Sequence, residues 1–267
     1  MTIKLLGVPH DSNSSFLRGP ALAPPLVRAA ISSDSANMFC EAGFDLGDPA
    51  MLTDCGDLEL SGLEEQAAYD AIYGGAAVAI GGNDCLIAIG GDHSVSYPLA
   101  MAHAARHEGL SILHFDAHPD LYEDFEGNPF SHASPFARLM ESGQIARLVQ
   151  VGIRTFNDHQ RAQADRYGVE VYEMRDLSGV MQIGFDGPVY VSIDLDALDP
   201  AYAPGVSHHE PGGLSTRQVI DLIQQVPGRV IGGDVVEYNP TRDLNGVTAM
   251  VAAKLVKELA GKILSSG

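Results

Sequence analysis

The chain has 267 residues, 45% hydrophobic and 19% charged, a globular balance that supports one large core and a single domain spanning 1–267. Lys and Arg number 16 against 35 Asp and Glu, a formal charge of −19. This argues against nucleic acid or an anionic membrane surface as partner and suits cationic ligands or metal ions. In chain order, TIKLLGV (2–8) predicts a strand and APPLVRAAI (23–31) a helix with prolines near its start, where they are tolerated. A loop rich in Ser, Gly and Asp leads to a helix over 63–80, a buried strand at CLIAIGG (85–91), a helix over 94–107 and a strand over 110–116. A helix over 134–142, a strand over 146–153, a helix over 158–168 and a short strand over 169–174 follow. The last elements are a strand over 187–196, a helix over 215–226 opened by Ser/Thr caps, a strand over 229–238 and an amphipathic helix over 246–264.

This alternation predicts an α/β fold with one parallel sheet flanked by helices. Cys40, Cys55 and Cys85 show no C-x-x-C spacing, so neither a disulfide framework nor a zinc ribbon is expected. The N-terminal MTIKLLGVPHD lacks a basic segment followed by a long apolar run, and no apolar stretch approaches about 18 residues. A cytoplasmic protein without membrane association is the expectation.

Four polar motifs, GGDHS (90–94), DAHPD (116–120), DLDALDP (194–200) and GGDVVEYNP (232–240), each follow a predicted strand. Open α/β sheets bind ligands outside the carboxyl ends of their strands, so the four can converge. Asp92, His93, Asp116, His118, Asp120, Asp194 and Asp196 then form a cluster of carboxylates and imidazoles without cysteine. Such a set suits Mn²⁺, Fe²⁺, Ni²⁺ or Zn²⁺, whereas carboxylates alone would favour Mg²⁺ or Ca²⁺. Two divalent cations would neutralise the crowded acids and activate a water for attack on an electrophile. Taken singly, each Asp has a duller reading as turn former or helix cap; recurrence at several strand ends weakens it. The glycines of GGDHS form neither a P-loop nor a dinucleotide fingerprint.

The motifs GGDHS, FDAHPD, SIDLDALDPAYAPG, PGGLS and DVVEYNP together resemble the ureohydrolase family of arginases, agmatinases and related amidinohydrolases. NSSFLRGPALAPP, FEGNPFSHASPFARLM, VQVGIRT, VSHHEPGGLS and VTAMVAAKLVKELA make the plant-type arginases the most similar branch, with the likeness covering nearly the whole chain. The resemblance implies a three-layer α/β/α sandwich, two Mn²⁺ per chain, a small cationic guanidino substrate and a homotrimer or homohexamer. It implies that His93 and Asp120 belong to one manganese, His118 and Asp196 to the other, and that Asp116 and Asp194 bridge; Asp92 is not made a ligand. It makes His132 a mobile proton shuttle and Glu237 the carboxylate that pairs with the substrate guanidinium. Asn128 and Asn157 fall in loops that meet the distal end of the substrate in the family, although a loop Asn is more often a turn residue.

His114, Tyr97 and Tyr238 are expected to pack, and His10 and His208 stand between pocket lining and surface loop. The favoured reaction is hydrolysis of L-arginine to L-ornithine and urea, with agmatine or another guanidino or formimino compound as alternatives. A non-catalytic metal-binding regulator would need neither His132 nor Glu237, and an amidase or deacetylase acting on a neutral amide would not call for Glu237.

Overall fold

The computed structural model describes residues 1–82, 84–177 and 183–266. Its strands are β1 (Ile3–Gly7), β2 (Leu52–Asp57), β3 (Cys85–Ile89), β4 (Leu110–Phe115), β5 (Ile145–Ile153), β6 (Glu170–Glu173), β7 (Pro188–Asp194) and β8 (Arg229–Val236). They form one sheet in the order β2-β1-β3-β8-β7-β4-β5-β6, with every pairing parallel. The helices are α1 (Ala23–Ile31), α2 (Glu65–Ala79), α3 (Ser96–Ala104), α4 (Pro135–Glu141), α5 (Asp158–Tyr167), α6 (Thr216–Gln225) and α7 (Val247–Ser265).

Strand alternation divides the core into two. Leu113 and Phe115 of β4 pack with Val27 of α1, Ile223 of α6 and Leu259 of α7, whereas Leu110 and Ile112 pack with Ile72 of α2, Leu99 of α3, Phe136 of α4 and Ala164 of α5. Helices therefore cover both faces, which is the expected three-layer sandwich. Ser215 caps α6 in a reciprocal capping box with Gln218, as its sequence suggested.

The strand β2 was not foreseen. It lies at the sheet edge, largely exposed, and reads LTDCGD, without the apolar run or alternation that marks a strand. Pairing with β1 and ion pairs from Arg28 to Asp54 and Asp57 hold it in place. Charge on an edge strand also discourages pairing with another chain.

Candidate active site

The strands carrying the four motifs, β3, β8, β7 and β4, are immediate neighbours in the sheet. Their carboxyl ends thus deliver Asp92 and His93, then Glu237, then Asp194 and Asp196, then Asp116, His118 and Asp120 to one place. Close approach of the chain makes this possible. A Cβ on Gly91 would lie 1.6 Å from the His10 carbonyl oxygen, which accepts the Asp92 N–H at 2.9 Å. Only glycine fits there.

Two groups of ligand atoms share one carboxylate. His93 Nδ1 lies 3.0 Å from Asp116 Oδ2, 3.0 Å from Asp120 Oδ2 and 3.2 Å from Asp194 Oδ2. His118 Nδ1 lies 3.0 Å from Asp196 Oδ2 and 3.3 Å from Asp116 Oδ1. Asp116 presents one oxygen to each imidazole. His93 Nδ1 is buried, ringed by three carboxylates and, among the described residues, engaged in no well-formed hydrogen bond, as befits a metal ligand. Burial disfavours charge here, yet the neighbouring carboxylates hold His93 and His118 well above the ordinary imidazole range. Burial, Asp196 and Asp116 push Asp194 well above the usual carboxylate range. A cluster that draws protons this strongly fits divalent cations.

The backbone fixes the donors. Asp116 Oδ1 accepts the His118 N–H at 2.6 Å, Asp194 Oδ1 the Asp196 N–H at 2.7 Å, and Asp196 Oδ1 the Ala117 N–H at 3.0 Å. Asp120 and Glu237 adopt φ of 49° and 63°, a region costly for residues with a Cβ. Arg154, which sequence reasoning left without a role, donates to the carbonyls of Asp196, Glu210 and Gly152 at 2.6, 2.8 and 3.0 Å. It ties the β5 end to the loop of Asp194 and Asp196. A further chain of buried groups supports His93: its Nε2 is 3.0 Å from Ser192 Oγ, which donates to Asp234 Oδ1 at 2.7 Å, and Tyr190 donates to Asp234 Oδ2 at 2.6 Å. Only the alternation of β7 and β8 could have hinted at that set.

His132 and Glu237 meet beside the cluster. His132 Nδ1 donates to Glu237 Oε1 at 2.9 Å, and the same oxygen accepts the His93 N–H at 2.9 Å. Burial works against the imidazolium, but Glu237 raises His132 to about 9; burial works against the Glu237 carboxylate, but His132 keeps it below its usual range. Ser15 contacts His132 Nε2 through its N–H at 3.1 Å and its Oγ at 2.8 Å. The N–H favours a neutral ring, while the hydroxyl can turn to serve either form. Asp92 positions this loop by accepting from the Asn13 N–H and Ser14 Oγ at 3.1 and 3.2 Å. It is an anchor rather than part of either ligand group.

A cavity of about 230 Å³ opens over these residues, lined also by Ser15, Tyr122, Thr155, Gln160 and His208. His208 therefore lines the pocket, and burial lowers its pKa. Asn128 and Asn157, expected at the distal end of the substrate, both make local hydrogen bonds. Asn157 caps α5, accepting the Gln160 N–H at 2.9 Å, and its amide donates to Tyr122. Asn128 accepts the Phe130 N–H at 2.9 Å and faces Asn13. Turn and cap geometry uses both side chains, and neither lines the cavity.

Of the remaining residues, His10 bonds Ser12 Oγ at 2.9 Å, Tyr238 donates to Asp243, and Tyr97 packs on Tyr69. His114 does more than pack: its Nε2 lies 2.8 Å from Asp116 Oδ2, and its ring stacks on Phe136.

The model of the Arginase family matches residues 1–261. "Arginase, mitochondrial" of Medicago truncatula is 50% identical, the match covering 98% of this chain and 82% of that one. The solved arginase of Medicago truncatula superposes with a TM-score of 0.91 at 46% identity, covering 98% of this chain and 87% of that one. An agmatinase of Serratia proteamaculans is 33% identical, covering 96% and 85%. The plant relatives are named mitochondrial or chloroplastic/mitochondrial, which overturns the cytoplasmic expectation. That expectation rested on the lack of a secretory-type N-terminus and of a long apolar stretch, which bear on secretion and membrane insertion and not on organellar import. The family match, the half identity over nearly the whole chain and the superposition agree: the chain belongs to the arginase family.

Proposed function

We propose that this chain holds two Mn²⁺ and hydrolyses L-arginine to L-ornithine and urea. The observation that carries the reading is the His132–Glu237 pair beside two ligand groups that share Asp116. His93 and Asp120 would hold one ion, His118 and Asp196 the other, with Asp116 and Asp194 between them. Bound there, the ions would supply Lewis acidity and a water of lowered pKa as nucleophile.

The protein's own groups do the rest. Glu237, ionised and rigid, offers its carboxylate to the planar guanidinium, and this pairing orients the carbon for attack. When the guanidinium takes Glu237, His132 loses the partner that raised its pKa. It then becomes a better acid for the leaving amine, with Ser15 Oγ able to pass a proton at Nε2. Burial of the pair sharpens both interactions.

One observation favours agmatine as a second reading. No Lys or Arg lines the cavity among the described residues; Tyr122 offers a hydroxyl at its rim, while the Thr155 hydroxyl donates to the Ala117 carbonyl oxygen, so an α-carboxylate finds no permanent cation. Residues 1–267 act as one domain in this proposal, assembled as a homotrimer or homohexamer, as the family resemblance supports. Urea release from a panel of guanidino compounds tests the reading. Turnover of L-arginine supports it, and no urea from any of them contradicts it.

A further inference from the structure

Gln150 lies on β5 directly beside His114 of β4, and both side chains are fully buried. Its Nε2 is 2.6 Å from the Pro119 carbonyl oxygen and 3.0 Å from His114 Nδ1. A carbonyl oxygen only accepts, so the amide must turn its NH₂ toward Pro119; the reversed amide would set oxygen against oxygen. The second amide hydrogen then points at His114 Nδ1, which makes that nitrogen an acceptor. The proton of the neutral ring sits on Nε2, where it is donated to Asp116 Oδ2 at 2.8 Å. Phe136 stacks on the ring with centroids 3.8 Å apart and fixes its plane.

We propose that Gln150 is a positioning residue for the metal centre: its amide sets the His114 tautomer that holds Asp116, and it holds the Pro119 carbonyl just before Asp120. The inference rests on the metal-centre reading above. One amide governs donors on both sides of the FDAHPD turn. Asp116 Oδ2 is the oxygen facing His93, and Asp120, in its left-handed conformation, follows the anchored carbonyl. Gln150 Oε1 is buried and has no partner among the described residues. An unpaired buried acceptor is unfavourable, and a Leu or Met would avoid it. The position thus carries a polar side chain at a cost that only its NH₂ group offsets. Hydrogen bonds to metal ligands of this kind typically change metal affinity by about 10–100-fold.

The test uses the full chain, metal-free and titrated with Mn²⁺, in wild type, Gln150→Met and His114→Phe. Phe keeps the stack on Phe136 and removes the donor. The expected result is Mn²⁺ binding about 10–100-fold weaker in each variant, with the unfolding midpoint of the metal-free chain near wild type. Gln150→Met should also cost less affinity in the His114→Phe background than in wild type. Unchanged Mn²⁺ affinity in a folded Gln150→Met chain overturns the inference, whatever happens to the midpoint. Wild type that fails to bind Mn²⁺ instead overturns the metal reading beneath it. Should the variants not fold, nitrogen NMR of His114 in the metal-free wild-type chain decides: an Nε2–H tautomer supports the inference and an Nδ1–H tautomer overturns it.

Discussion

His132 Nδ1 sits 2.9 Å from Glu237 Oε1, so the proposed acid and the proposed guanidinium partner occupy each other before any substrate arrives. A cation that takes Glu237 Oε1 competes with His132 for that oxygen. In the proposed reaction, substrate binding would thereby loosen the acid from its partner. Replacing His132 by Ala should lower kcat about 10²–10⁴-fold, the usual contribution of a positioned acid. Both metals should remain, because His132 belongs to neither ligand group. Steady-state urea release together with elemental analysis checks this; unchanged kcat removes His132 from the mechanism.

Asp194 faces His93 and holds the Asp196 N–H, and the proposed centre gives it a place between the two ions. Asp194→Asn should lower metal content and nearly abolish turnover. Two metals retained per chain would rule out a bridging role.

Asn157→Ala should act on stability and leave selectivity alone. The lost cap of α5 costs about 1 kcal/mol, or roughly 2 °C in a chain of this size. The ratio of kcat/KM for arginine over agmatine should stay at the wild-type value. A change of tenfold or more would return Asn157 to the list of substrate contacts.

Glu41 joins the N-terminal segment to α6 and α7 through Arg217, Gln224 and Lys254. Arg217 foremost, then Gln224, holds its carboxyl well below the usual carboxylate range. A depressed carboxyl stabilises the fold fully above its unfolded pKa, and that contribution fades as pH falls below about 4.5. The site is partly open to solvent, so the expected effect is under about 1 kcal/mol. Glu41→Gln should therefore lower the unfolding midpoint slightly at pH 7. The difference should shrink below pH 4.5 and in high salt; a pH-independent difference would point to packing instead.

Most of the fold was legible because its buried strands are apolar runs and its helices show apolar periodicity, with Asn157 and Ser215 capping α5 and α6. The exception, β2, owes its place to β1 and Arg28 rather than to its own residues. The metal-type cluster was legible because Asp and His gather at strand ends, where the sheet topology brings them together. Gln150, Ser192, Asp234 and Arg154 were not, since each acts through a neighbour that is distant in sequence. Asn128 and Asn157 have a local role that their sequence context did not single out. Each amide oxygen accepts a backbone N–H of a local turn or cap.

The most direct test of the central claim is kcat/KM for L-arginine and for agmatine with chelated wild-type protein, reloaded with Mn²⁺ or Mg²⁺. The account predicts urea and ornithine from arginine, agmatine as the weaker substrate, and restoration by Mn²⁺ well beyond that by Mg²⁺, because imidazoles complete the ligand set. Clear preference for agmatine would contradict the arginine assignment, and equal restoration by Mg²⁺ would contradict the manganese centre.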